Sequence, residues 1–111
     1  MRNPKLRQAT FDPELLEKRA GKVARVLDAL ANERRLVILC KLVEWGEANV
    51  NSLADAVGLS QSALSQHLAR MREEGIVTSR RESQTIWYRI ADPRIEELFA
   101  TLDRLFCRSR R

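Results

Sequence analysis

The sequence predicts a mainly α-helical chain with one small β-hairpin, and three observations predict it. Apolar residues recur at helical spacing over five segments, and the spacing changes to alternation only once, between Ile76 and Ile90. Two of the helices are separated by no more than Val57-Gly58-Leu59-Ser60. A period near 3.6 marks an amphipathic helix and a period of 2 a half-buried strand. Two helices joined by so tight a turn and followed at once by a hairpin give the order α-α-β-α-α-β-β-α, a winged helix-turn-helix.

Each element has a local cause. Asp12-Pro13 opens the first helix, because the carboxylate accepts from orphan backbone N–H groups and proline at the first helical position sacrifices no hydrogen bond. Leu16, Ala20, Val23, Leu27 and Leu30 carry that helix to about Ala31. Gly21 inside it costs about 1 kcal/mol relative to alanine unless close helix packing compensates. Asn32 caps the second helix, whose Leu36, Leu39, Cys40 and Val43 are read as the buried face before Trp45-Gly46 stops it. Ala48-Asn49-Val50 is a short extended piece, Ser52 to Val57 a brief third helix, and Ser60 the cap of a fourth. In that helix Leu64, Leu68 and Met71 share one face. Ile76 to Arg81 and Thr85 to Ile90 form the hairpin around Glu82-Ser83-Gln84. Asp92-Pro93 repeats the first start signal and opens a last helix with Ile95, Leu98, Phe99, Leu102, Leu105 and Phe106 as its stripe.

The 111 residues suit one domain, too small for a catalytic domain plus an accessory one. With 44% hydrophobic and 32% charged residues, the composition is that of a folding globular chain. No apolar run is long enough to span a bilayer and no secretory leader is visible, so a cytoplasmic protein without membrane contact is expected. The division is a basic N-terminal tail over 1–11, a binding and dimerisation domain over 12–107 and a basic C-terminal tail over 108–111. A net charge of +5 suggests an anionic partner. Arg2, Lys5, Arg7, Arg108, Arg110 and Arg111 account for six of the 20 basic residues, which leaves 14 against 15 acids in the body. The first and last helices carry more apolar surface than one small core needs, which predicts a homodimer with its seam over 12–31 and 93–107.

The fourth helix is where double-stranded DNA would be read. Opposite its apolar face lie Gln61, Ser62, Ser65, Gln66, Ala69 and Arg70, and no charge occurs from Ala56 to Ala69. Solvated helix faces carry Lys and Glu, whereas Gln and Ser near a helix N-terminus are suited to base edges in the major groove. Arg80, Arg81 and Arg89, with Glu82 and Gln84 at or near the tip, place the hairpin as a wing that reaches phosphates or the minor groove. Arginines that merely guard a sheet edge would look the same, so the assignment leans on the neighbouring helix. His67 is read as a hydrogen-bonded packing residue, since a lone histidine makes no site. Trp45, Trp87 and Tyr88 are read as core and seam aromatics.

Two cysteines in a cytosolic chain are either buried small residues or a redox or metal pair. Cys40 sits in the apolar face expected to be core, and Cys107 ends the last helix beside a cationic run. Spacing alone leaves open whether they meet.

Three segments carry a family resemblance. Ala31-Asn-Glu-Arg-Arg-Leu36 with Ile38-Leu-Cys40, the run from Val57 to Leu68, and Arg80-Arg81 through Gln84-Thr-Ile-Trp-Tyr88 resemble the ArsR/SmtB family of winged-helix repressors, a likeness extending from Glu17 to Cys107. Glu17-Lys-Arg-Ala20, Cys40 and Leu105-Phe-Cys107 are similar to its persulfide- and redox-responsive members. The resemblance implies a homodimeric repressor of an imperfect palindrome, with Gln61, Ser62, Ser65 and Gln66 at base-contacting positions. It further implies that Cys40 and Cys107 are the sensor, bridged as a disulfide or polysulfide by oxidants or reactive sulfur species, with no cofactor. The thiols of metal-sensing members fall where this chain has Val50 to Asp55, and the last helix contains no histidine, so no metal site is expected. Glu44-Trp-Gly-Glu47 is slightly longer than in the sulfide sensors, which alters a turn. Competing readings are an arsenite or soft-metal sensor using the same thiols, a thiol redox enzyme, and a helical dimer that binds only protein. The enzyme would lack both a Cys-X-X-Cys motif and a nucleophile with a neighbouring base.

Overall fold

A computed structural model describes residues 11–107, so apart from Phe11 the two basic tails lie outside the described residues. The elements run α1 (Pro13–Lys18), α2 (Ala20–Leu30), α3 (Glu33–Trp45), β1 (Ala48–Asn49), α4 (Val50–Val57), α5 (Gln61–Glu73), β2 (Val77–Glu82), β3 (Thr85–Ile90) and α6 (Pro93–Phe106). Locally encoded starts are where the side chains demand them. Asp12 accepts from the Leu15 N–H at 3.2 Å, Asn32 from Arg34 and Arg35 at 3.0 and 3.1 Å, and Asp92 from Arg94 at 3.0 Å.

The first predicted helix is two. The chain leaves helical geometry at Arg19 (φ −102°, ψ 11°), so α1 is a separate six-residue helix with no buried residue. A helix that short has little stability of its own. A Cβ on Gly21 would meet only the Arg25 guanidinium at 4.0 Å, so nothing within the chain packs closely there.

The core gathers Leu30, Ile38, Leu39 and Leu42 from α2 and α3, Leu53 from α4, Leu64, Leu68 and Met71 from α5, Ile76 and Val77 from the wing, and Ile95 from α6. On α3 this overturns the expected face. Ile38, Leu39 and Leu42 are fully buried, Leu36 and Val43 only partly, and Cys40 is exposed. Residues turn by roughly 100° each on a helix, which sets Cys40 on the far side from Ile38. Neither tryptophan is a core residue: Trp45 is exposed with Lys41 over its ring, and Trp87 is half-buried on the sheet, while Tyr88 does pack on the core.

The three strands pair antiparallel in the order β1-β3-β2, with Arg80 opposite Trp87, Arg81 opposite Ile86 and Glu82 opposite Thr85. The wing therefore closes through Ser83 and Gln84 alone, one residue tighter than expected, with Ser83 at φ 58°. Since side chains alternate across a strand, Val77, Ser79, Arg81, Tyr88 and Ile90 share the core-facing side, and Thr78, Arg80, Glu82, Trp87 and Arg89 the outer one. The Cα radius of gyration is 16.7 Å, above the about 13 Å expected for a domain of 100 residues.

Candidate nucleic-acid interface and thiol pair

Three buried side chains on α5, Leu64, Leu68 and Met71, fix which face the helix turns outward. The entry is just as local. Gly58 ends α4 in the left-handed region (φ 72°), the N–H groups of Gly58 and Leu59 both donate to the Ala54 carbonyl, and Ser60 Oγ accepts from the Ala63 N–H at 3.1 Å. Gln61, Ser62, Ser65, Gln66, Ala69 and Arg70 are consequently all exposed on α5. Asn51 had no assignment from the sequence. Its Oδ1 accepts from the Gln61 amide, and it lines a groove of about 250 Å³ with Asn49, Gln84, Thr85 and Ile86. The start of α5 and the tip of the wing thus border one polar surface.

The two adjacent arginines of β2 part company. Arg81 is exposed on the strand face that meets α5, where Arg72 donates to Ser79 Oγ at 3.1 Å. Arg80 lies on the outer face and is held there: its Nε and Nη2 donate to the two carboxylate oxygens of Glu47 at 2.8 and 3.0 Å, its Nη1 reaches Glu82 at 3.4 Å, and the guanidinium stands over Trp87. The hydrogen bond from Arg80 holds the Glu47 carboxyl below its ordinary range, with the charges of Arg80 and Arg89 adding to it. His67 is partly buried on the flank of α5 and makes no hydrogen bond among the described residues, contrary to expectation. Burial, and then the charges of Arg35 and Arg34, push its imidazole below the usual 6.5.

Cys40 and Cys107 are both free and exposed. Cys40 borders a cleft of about 270 Å³ between α3 and α6, with Val43, Glu44, Phe99, Ala100 and Asp103. Crowding at this cleft raises its thiol above the usual 9.0, and the second cause is the charge of Cys107, so α6 ends within electrostatic reach of α3. Among the described residues no group of three or more His, Cys, Asp or Glu side chains could hold a metal ion. No helix there is long and apolar enough to cross a membrane.

Residues 32–79, from the cap of α3 into the wing, match the family described as bacterial regulatory protein, arsR family. The transcriptional activator HlyU of Vibrio cholerae is 42% identical over 106 residues, covering 96% of this chain and 97% of that one. The chain belongs to the ArsR family. Its fold agrees: the crystal structure of the transcriptional repressor BigR from Xylella fastidiosa superposes with a TM-score of 0.82 at 40% identity, over 87% of this chain and 98% of that one. The homodimeric winged helix-turn-helix domain of Mb0332 from Mycobacterium bovis, solved by NMR, gives 0.70 at 38% identity over 88% and 86%. As an ArsR-family member the chain is a DNA-binding transcriptional regulator and not an enzyme.

Two residues of this regulator's surface, Asn51 and Glu47, escaped the sequence. Their partners stand 10 and 33 residues away. For Glu47 the one available signal was the expectation that Glu44-Trp-Gly-Glu47 alters a turn.

Proposed function

We propose that the chain is a homodimeric repressor whose operator affinity falls when Cys40 and Cys107 are bridged. The observation that carries the DNA half is the uncharged exposed face of α5, from Gln61 to Gln66, continuous through Asn51 with the wing tip. In this reading Gln61, Ser62, Ser65 and Gln66 meet base edges, where a glutamine is bidentate to adenine and a serine serves either partner. Arg70, Arg81 and Gln84 meet phosphates or the minor groove, and Arg80 belongs to the wing that presents them.

A second copy is supported by apolar surface left in solvent on the terminal helices. Leu15, Leu16, Val23 and Leu27 on α1 and α2, and Leu105 and Phe106 on α6, are all exposed, and an apolar cleft of about 540 Å³ runs between α2 and α6. Patches of this kind mark interaction sites. A two-fold dimer would set two reading helices against half-sites one helical turn, about 34 Å, apart.

Sensing rests on the two thiols at the α3–α6 contact. Forming the bridge removes two protons and two electrons, which an oxidant or reactive sulfur species takes up; further sulfur atoms inserted between them give a polysulfide. Tying α3 to the end of α6 would pull on the helix that forms the seam and so alter the separation of the reading helices.

The test is binding of the reduced protein to a duplex from upstream of its own gene. Gln66→Ala should lose about 1 to 3 kcal/mol of discrimination between that duplex and a scrambled one. Arg81→Ala should weaken both alike and lower the salt slope by about 0.9. A reduced wild-type protein that prefers neither duplex ends the repressor reading.

A further inference from the structure

The wing is thinly supported for a part that has to meet DNA in a fixed place. Its neighbour β1 is two residues long and pairs Ala48 with Tyr88 and Asn49 with Trp87, so among the described residues the hairpin beyond Trp87 has no third strand. A two-stranded ribbon is marginal by itself in water. On the outer side Arg80 ties it to the turn before β1. Arg80 is gripped by both oxygens of Glu47 from the turn before β1, touched by Glu82 at the end of its own strand, and laid over Trp87 of β3. The fork-to-fork geometry of an arginine with a carboxylate fixes orientation as well as distance. Glu47 is itself well placed: Gly46, at φ 84°, turns the chain out of α3, and the Glu47 side chain is only 30% exposed. With Arg80 fixed outward, the next residue, Arg81, is committed to the opposite face, on the side of α5.

We propose that Glu47 is a positioning residue for DNA binding: through Arg80 it anchors the wing to the turn after α3, so that Arg81 and Gln84 meet the duplex in register with α5. The proposal rests on the reading that α5 and the wing bind DNA. Glu47 touches no nucleotide, and Arg80 spends its charge on carboxylates instead of phosphate.

The experiment uses the full chain, reduced, and the duplex from upstream of its own gene, with anisotropy measured over a series of salt concentrations. Glu47→Gln is expected to weaken binding by about two- to fivefold, the scale of an exposed ion pair, and to leave the salt slope unchanged. Arg80→Ala should weaken it at least as much, since it also loses Glu82 and Trp87, and the double variant no further than Arg80→Ala, because the Glu47 contact is already gone there. Amide hydrogen exchange over residues 80–86 of Glu47→Gln, without DNA, should quicken. Tighter binding by Glu47→Gln with a slope steeper by about 0.9 would overturn the proposal, since Glu47 would then be withholding Arg80 from a phosphate. Unchanged affinity and exchange would overturn it as well. A wild-type protein that fails to bind the duplex at all brings down the DNA reading first and this inference with it.

Discussion

Truncating Leu27 to alanine tests whether a second copy covers the terminal helices. Leu27 lies on α2 at the cleft toward α6 and is 50% exposed in the single chain. Fully burying a leucine side chain contributes about 1.5 to 3 kcal/mol, so covering the open half contributes about 0.8 to 1.5 kcal/mol. Two-fold symmetry counts the residue twice, which makes about 1.5 to 3 kcal/mol per dimer. Leu27→Ala should therefore raise the dimer dissociation constant by about 10- to 150-fold, toward the lower end because alanine keeps its Cβ. The stability of the isolated chain should change far less, since its own core surrounds only part of the side chain. Sedimentation equilibrium reads the dissociation constant directly. A value equal to that of the wild type would refute the placement of the seam, and a wild-type protein that is monomeric at micromolar concentration would refute the dimer.

Other outcomes follow from two of the perturbed titrating groups, His67 and Cys40. His67 has its imidazole pKa lowered by burial and by Arg35 and Arg34, so the unfolded chain takes up its proton at a higher pH than the folded one does. Unfolding is then favoured as pH falls through about 6.5, and urea midpoints should decline from about pH 7 to about pH 5.5, less steeply in His67→Gln; an equal decline in both proteins would contradict this. In Cys107→Ser, the alkylation rate of Cys40 should rise with a midpoint still above 9.0, because burial, the larger cause, remains, yet below the wild-type midpoint because the charge of Cys107 has gone. A midpoint under 9.0 would show the cleft to be more open than it is here.

What could be read from the sequence was whatever is decided within a few residues. Asp12, Asn32, Ser60 and Asp92 cap their helices because each needs only a short side chain and the next turn's N–H groups. Leu64, Leu68 and Met71 were legible because polar neighbours set them off, and with them the outward face from Gln61 to Arg70. On α3 the same method misplaced Cys40, since Leu36 to Val43 is apolar almost without interruption and any stripe can be drawn through it. Only packing against α2, α4 and the sheet selects Ile38, Leu39 and Leu42. Nor could the break at Arg19 be seen in a run whose apolar spacing continues across it. Arg80 and Arg81 looked equivalent side by side; strand register separates them, and the carboxylate that claims Arg80 comes from 33 residues earlier. Cys40 and Cys107 are brought toward one another by the docking of α6 beside α3, a tertiary event that spacing does not encode.

If these two thiols form the proposed switch, bridging them lowers the regulator's affinity for its operator. Operator affinity should be measured on reduced protein, on protein treated with inorganic polysulfide or diamide with the bridge verified by intact mass, and on Cys40→Ser and Cys107→Ser taken through the same treatment. Bridged wild-type protein is expected to bind about 5- to 150-fold more weakly, to recover with dithiothreitol, and to differ from both variants, which keep their affinity. A bridged protein that binds as tightly as the reduced one, or a Cys40→Ser protein that loses its operator on treatment all the same, would contradict it.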